Sequence, residues 1–308
     1  FHDAGHILGS SMIKIRVGEN GGERTLLFSG DIGRWQMPIL RDPTTFNEAD
    51  YVLVESTYGD RLHEDPKDTG VMLSEIISET KARGGNLVIP SFAIERTQEL
   101  LYHLNELLLE DRIPHLMVFI DSPMAAKVTE VFKQHPELFD REMNSFVAHG
   151  HSPFNLPNLK TTSSADESKA INHIRGTALI IAGSGMCTGG RIKHHLVNNI
   201  AREESTILFV GYQAVGTLGR EIVSGAKDVR ILGQTYPVRA RVAQIHGFSA
   251  HADRDELLKW ATAFRKNPRC LFVTHGEVNV ARSFSELLKK RTGGKIMVPE
   301  YLEEVILD

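Results

Sequence analysis

At 308 residues the chain is longer than one compact domain usually is, so two domains are the starting expectation. An apolar share of 41% supplies real cores, and no run approaches the roughly 18 consecutive apolar residues of a membrane-spanning helix, which excludes that class. A net charge of −4 excludes a protein that coats nucleic acid by bulk charge; a polyanionic substrate would need a local basic groove or metal ions. The two cysteines, Cys187 and Cys270, form no CxxC pair and no disulfide framework, which fits a reducing cytoplasm.

In chain order, "FHDAGHILGS" (1–10) is a Gly-flanked turn carrying two histidines, and it is not a natural start. Residues 11–17 alternate with period two; a polar "GENGGE" turn then leads to 25–28, which predicts a hairpin. "YVLV" (51–54) is a short strand ending at Glu55. Strand–helix units follow: helices near 70–83, 94–110, 123–134, 189–200 and 216–224, and strands at 86–90, 115–120, 177–183, 206–211 and 228–232. Residues 59–242 therefore read as an open, mostly parallel sheet with helices on its faces. The end differs. "VRARVAQIHGFSAHAD" predicts a long alternating strand into a His-bearing turn, followed by an amphipathic helix through Leu257, Leu258, Ala261 and Phe264. "CLFVTHGE", another helix and a last strand near 303–307 complete the chain.

Polar residues stand at the ends of these apolar strands. Asp31 follows "LLFSG", Glu55 follows "YVLV", His251 follows "QIHGFSA", and His275 follows "LFVT". With His6 in the opening turn, they form a set of imidazoles and carboxylates of the kind that binds zinc, where a carboxylate can bridge two ions. One histidine alone is more often structural; five such residues at strand ends or glycine turns indicate a site. His194 and His195 lie mid-helix and are expected at the surface, as are His149 and His151.

The wording of these segments resembles the metallo-β-lactamase-fold nucleases of the β-CASP family, in particular its RNA-processing, prokaryotic relatives of the cleavage and polyadenylation endonuclease. "DAGHILGS" resembles the family's third metal motif, with His6 as ligand, and "FSGDIGR" the fourth, with Asp31 as bridging carboxylate. "ESTYGDR", "GFSAHAD" and "VTHGE" resemble motifs A, B and C through Glu55, His251 and His275. "PSFAIERTQEL", "DSPMA", "GSGMCTGGR" and "GYQAVGTLGR" also read as β-CASP sequence, so the resemblance covers essentially the whole chain.

The resemblance implies an α/β fold: part of a metallo-β-lactamase αββα sandwich (1–58 and 243–308) with an inserted β-CASP domain (59–242) of mostly parallel sheet flanked by helices. It also implies a zinc-dependent ribonuclease of RNA processing or decay, cytoplasmic and without membrane contact, in which a metal-activated hydroxide attacks a phosphodiester. In such members His6 binds one of two zinc ions, Asp31 bridges both, His275 binds the other, and His251, oriented by Glu55, protonates the leaving oxygen. RNA-processing members have His at motif C where the DNA-repair branch has Val, so His275 favours RNA. By the same analogy Ser184, Gly185, Arg191 and Arg96 are candidate RNA contacts. For "GSGMCTGGR" a tight strand-to-helix turn that needs glycine is an equal alternative, and for Arg96 so is an acidic partner nearby. His2 is a candidate substrate contact rather than a ligand, and a homodimer follows the habit of prokaryotic relatives.

One departure is large: the family's His-x-His-x-Asp-His string occurs nowhere in the sequence. The expectation is a fragment of a longer protein, with an exposed sheet edge and apolar face, weak metal binding and little activity by itself. A catalytically inactive RNA-binding scaffold is the alternative function; five retained site residues speak against it. A small-molecule metallohydrolase fits the fold but not the inserted domain or motifs A to C.

Overall fold

The computed structural model describes residues 1–19, 22–63 and 66–307. It divides into two compact units, one formed by Phe1–His63 with Ala250–Asp308, the other by Glu64–Ser249. The expected boundaries lay at 58/59 and 242/243.

The first unit begins with β1 (His2–Asp3), β2 (Ser11–Glu19), β3 (Gly22–Phe28) and β4 (Tyr51–Val54). The second carries α1 (Pro66–Arg83), β5 (Leu87–Pro90), α2 (Arg96–Leu109), β6 (Met117–Asp121), α3 (Pro123–Gln134), α4 (Arg141–Ala148), β7 (Leu159–Thr161) and α5 (Ala165–Ala170). It continues with β8 (Ala178–Ala182), α6 (Ile192–Asn199), β9 (Thr206–Phe209), α7 (Leu218–Val223), β10 (Asp228–Ile231), β11 (Gln234–Pro237) and β12 (Arg241–Gln244). The chain then returns to the first unit through α8 (Arg254–Ala261), β13 (Cys270–Val273), α9 (Val278–Thr292) and β14 (Ile296–Met297).

In the first unit the sheet order is β1-β2-β3-β4-β13-β14. β1, β2 and β3 pair antiparallel, and β3, β4, β13 and β14 run parallel. The predicted hairpin is present, with Glu19 opposite Gly22; Asn20 and Gly21 of its turn lie outside the described residues. Because side chains alternate across a strand, Met12, Leu27, Val52, Val54, Leu271 and Val273 share one face. Trp260 of α8 and Phe284 and Leu288 of α9 bury that face. Fully burying one such apolar side chain stabilises the unit by roughly 1.5–3 kcal/mol. Asp253 starts α8 by accepting the amides of Asp255 and Glu256, and the Glu256 carboxylate returns to the Asp253 amide. The opposite face is also apolar. Val305 packs near Tyr51, Cys270 and Phe272, whereas Ile13, Ile15 and Val17 of β2 are 40–49% exposed.

In the second unit the main sheet has the order β12-β9-β5-β8-β6-β7, with every pairing within it parallel, and β10 and β11 form a separate antiparallel pair. β5, β8 and β9 are buried along their whole length, which is why they read as continuous apolar runs rather than as alternating ones. Ile192 and Leu196 of α6 and Ile222 of α7 cover one face. Ser122 caps α3 ahead of Pro123, and Thr217 caps α7.

Several expectations need correction. The strand forecast near 303–307 does not form; β14 occupies Ile296–Met297, where its backbone finds β13, and the residues after it are irregular. The long strand through "VRARVAQIHG" shortens to Arg241–Gln244, because only those residues find a parallel neighbour in β9. The helix after "SAHAD" stops at Ala261, so Phe264 packs on the core from beyond its end. His195 is not a surface residue: Ile192, His195, Leu196 and Asn199 share the buried face of α6, while His194 is exposed. Among the described residues no helix is long and apolar enough to cross a membrane.

Candidate metal centre

Five loops of the first unit meet here, and glycines set how closely. The amides of His6 and Ile7 donate to Ser10 Oγ at 3.1 and 3.2 Å, which folds the His6 turn back on itself. The Gly33 amide donates to the Ala4 carbonyl at 2.8 Å, and a Cβ on Gly33 would fall 1.7 Å from the Gly5 carbonyl oxygen. Only glycine permits that approach, so Gly33 presses the Asp31 loop onto the His6 turn. On its other side Gly33 bridges His251, and the Ala252 amide donates to the Ile32 carbonyl at 2.7 Å. Gly276 repeats the device: a Cβ there would meet Ser56 Oγ at 2.4 Å. The Ser56 amide donates to the His275 carbonyl, and its hydroxyl to the Thr274 carbonyl.

These contacts bring together His6, Asp31, Glu55, His251 and His275. Asp31 Oδ2 lies 3.7 Å from His6 Nε2, and Asp31 Oδ1 lies 3.0 Å from His275 Nδ1. Each carboxylate oxygen thus faces a different imidazole. The His6 and His251 rings are 4.3 Å apart between centroids. Two overlapping donor groups result, His6–Asp31–His251 and Asp31–Glu55–His275, with Asp31 common to both. Such sets of imidazole nitrogens and carboxylate oxygens match the ligand preference of zinc.

The electrostatics separate the roles. Burial, and then the neighbouring His251, push the His6 pKa down to about 4, so at neutral pH the ring is uncharged and one nitrogen keeps its lone pair for a metal. The hydrogen bond with His275 holds Asp31 below the usual carboxylate range, against the effect of burial. That bond raises the His275 pKa in turn. Glu55 is fully buried and held by three donors: His251 Nδ1 lies 2.9 Å from Oε2, Thr57 Oγ1 donates to Oε2 at 2.6 Å, and the Ile32 amide donates to Oε1. With Nδ1 turned to Glu55, His251 keeps Nε2 for other work.

Some neighbours escaped the sequence reading. Thr57 also approaches His275 Nδ1 at 3.5 Å, and its place two residues beyond Glu55 within "ESTYGDR" was the available signal. His63 holds the His251 carbonyl at 2.9 Å through Nε2 and lies edge-on to Tyr58; nothing in the sequence marked it. His2 stands apart in β1, edge-on to Phe46.

The RNA-contact candidates belong to the second unit. Arg96 is buried and paired with Glu99. Arg191 donates to Asp121 Oδ1 at 2.7 Å and to Thr162 Oγ1 at 2.9 Å. Ser184 and Gly185 lie in a loop that satisfies itself: the amides of Ser184, Cys187, Gly189 and Ile192 all bond within it. A Cβ on Gly190 would meet the Gly183 carbonyl at 2.4 Å, the tight-turn alternative in physical form.

Two family models match this chain. One, the Beta-Casp domain, covers residues 97–222, and the other, the Zn-dependent metallo-hydrolase RNA specificity domain, covers residues 235–299. Ribonuclease TTHA0252 of Thermus thermophilus is 39% identical over 305 residues, which are 99% of this chain and 68% of that protein. The chain belongs to the β-CASP ribonuclease family of the metallo-β-lactamase fold. The RNase J-like protein of Methanocaldococcus jannaschii is 32% identical over 302 residues, 97% of this chain and 68% of that protein. Transcription termination factor FttA of the same organism is 32% identical over 314 residues, and the chain spans only 49% of its length.

Proposed function

We propose that the protein containing this chain hydrolyses RNA phosphodiester bonds with zinc held at Asp31. The observation that carries this reading is the split of Asp31, one oxygen toward His6 and the other toward His275, within two overlapping sets of imidazole and carboxylate donors. His6, Asp31 and His275 would hold the metal, and His251, beside them, keeps its Nε2 for the proton. When bound, zinc supplies Lewis acidity, which draws charge from a phosphodiester oxygen and makes a water more acidic.

The protein's own groups handle the proton. Glu55 fixes the His251 ring through Nδ1, so that Nε2 delivers a proton to the ribose oxygen as its bond to phosphorus breaks. Thr57 and the Ile32 amide keep the Glu55 carboxylate from turning away. Support for RNA comes from His at motif C, from the match to an RNA specificity domain, and from relatives named ribonuclease and RNase J-like.

The test is metal analysis of the purified protein with cleavage of a labelled single-stranded RNA, before and after chelation. The expected result is bound zinc, cleavage abolished by the chelator, and restoration on adding zinc. RNA binding without zinc or cleavage would establish the scaffold reading instead. Cleavage that survives full chelation would remove the metal from the proposal.

A further inference from the structure

The loops leaving the C-terminal ends of β5 and β9, and the first turn of α3 after β6, hold apolar side chains in solvent. Phe92 and Ile94 are each 42% exposed, Met124 is 65% and Val215 72%. In open parallel sheets ligands bind outside the carboxyl ends of the strands, where two neighbours send their chains in opposite directions. β5 and β8 are such neighbours. From β5 the chain passes through α2 to β6, across β8; from β8 it passes through α6 to β9, across β5. Phe92 follows β5, and Gly185 follows β8.

At that junction the Phe92 ring lies directly on glycine backbone. A Cβ on Gly185 would fall 2.7 Å from ring Cδ2 and 2.8 Å from Cε2, and one on Gly211 would fall 3.9 Å from Cε2. The ring therefore packs closely against Gly185 while much of it stays open to solvent. Two nearby guanidinium groups are already engaged, Arg96 by Glu99 and Arg191 by Asp121, so they do not turn this rim into a phosphate cradle. An exposed aromatic ring packed against glycine suits the π-face of a base, which any base supplies.

We propose that Phe92, backed by Gly185 and Gly211, is a stacking platform for a nucleobase of single-stranded RNA, an inference that rests on the RNA-directed function above. The test is fluorescence-anisotropy titration of oligoadenylate, and of the same oligonucleotide with abasic positions, against the wild-type protein, Phe92→Ala, Phe92→Trp and Gly185→Ala. Wild type should bind the abasic RNA more weakly. Phe92→Ala should bind oligoadenylate about 5- to 150-fold more weakly and lose the distinction between the two RNAs. Phe92→Trp should keep both affinity and distinction. Gly185→Ala, which keeps the phenyl ring but displaces it, should behave like Phe92→Ala, with thermal unfolding of each variant confirming the fold. If Phe92→Ala binds oligoadenylate like wild type while cleavage continues, or still discriminates against abasic RNA, the platform is overturned and the ribonuclease reading stands. A wild-type protein that neither binds nor cleaves RNA overturns both.

Discussion

Asp31 and Asp121 are two aspartates at C-terminal strand ends, each beside histidine, and they do opposite things. Asp121 is wholly buried, and each of its oxygens has two donors. Oδ1 accepts from Arg191 and Thr162; Oδ2 accepts from Ser168 and His195, both at 2.5 Å. A carboxylate offers about four lone-pair sites, so Asp121 has nothing left to give a ligand. The Asp31 side chain is 39% exposed, bonds His275 and faces His6 across 3.7 Å. The same residue types make a clasp where every site is filled, and a place for a metal where sites remain open toward solvent.

The largest effect that would break this contrast is on chemistry at Asp31. Asp31→Asn should lower RNA cleavage about 10³-fold or more, because a metal contributes several kcal/mol of transition-state stabilisation. Bound zinc should fall with it, while thermal unfolding of the metal-free protein stays close to wild type. Wild-type cleavage by Asp31→Asn would remove Asp31 from the centre. Asp121→Asn should do the reverse. It leaves buried partners without their charge, so chemical denaturation should show a loss of about 3–5 kcal/mol, with zinc content unchanged below the unfolding transition. Loss of zinc from a folded Asp121→Asn protein would show that the two aspartates are not independent.

The contrast also marks what the sequence could tell. The strand–helix alternation and the hairpin were legible, as were the five residues that the fold gathers into one cluster, because period-two alternation, apolar runs and polar strand ends are local signals. The saturation of Asp121 was not. Its donors come from positions 162, 168, 191 and 195, and only the parallel pairing of β6 with β7 and β8 brings those segments to its side. The buried position of His195 was nearly legible, since Ile192, Leu196 and Asn199 mark the same helical face. Arg191 was a candidate RNA contact by resemblance to the family; that its guanidinium also bonds Asp121, 70 residues earlier, had no local signal. The false last strand has a similar cause, as a short apolar segment cannot by itself show whether a partner strand exists.

The smallest effect concerns acid. Burial disfavours ionised Asp121, yet hydrogen bonds from His195, Ser168, Thr162 and Arg191 outweigh it and hold the carboxyl well below the usual range. A group with a lowered folded pKa stabilises the protein above its unfolded value, near pH 4, and that contribution drains away as pH falls toward the folded value. Unfolding free energies compared at pH 6 and pH 3 should therefore drop further for wild type than for Asp121→Asn, which has no carboxyl to protonate. The sign is specific: above pH 5 both proteins should share the same slope, because Asp121 is ionised in the folded and the unfolded chain alike. Equal drops between pH 6 and pH 3 would mean that the donors around Asp121 select its position without favouring its charge, and the clasp would then owe its strength to geometry alone.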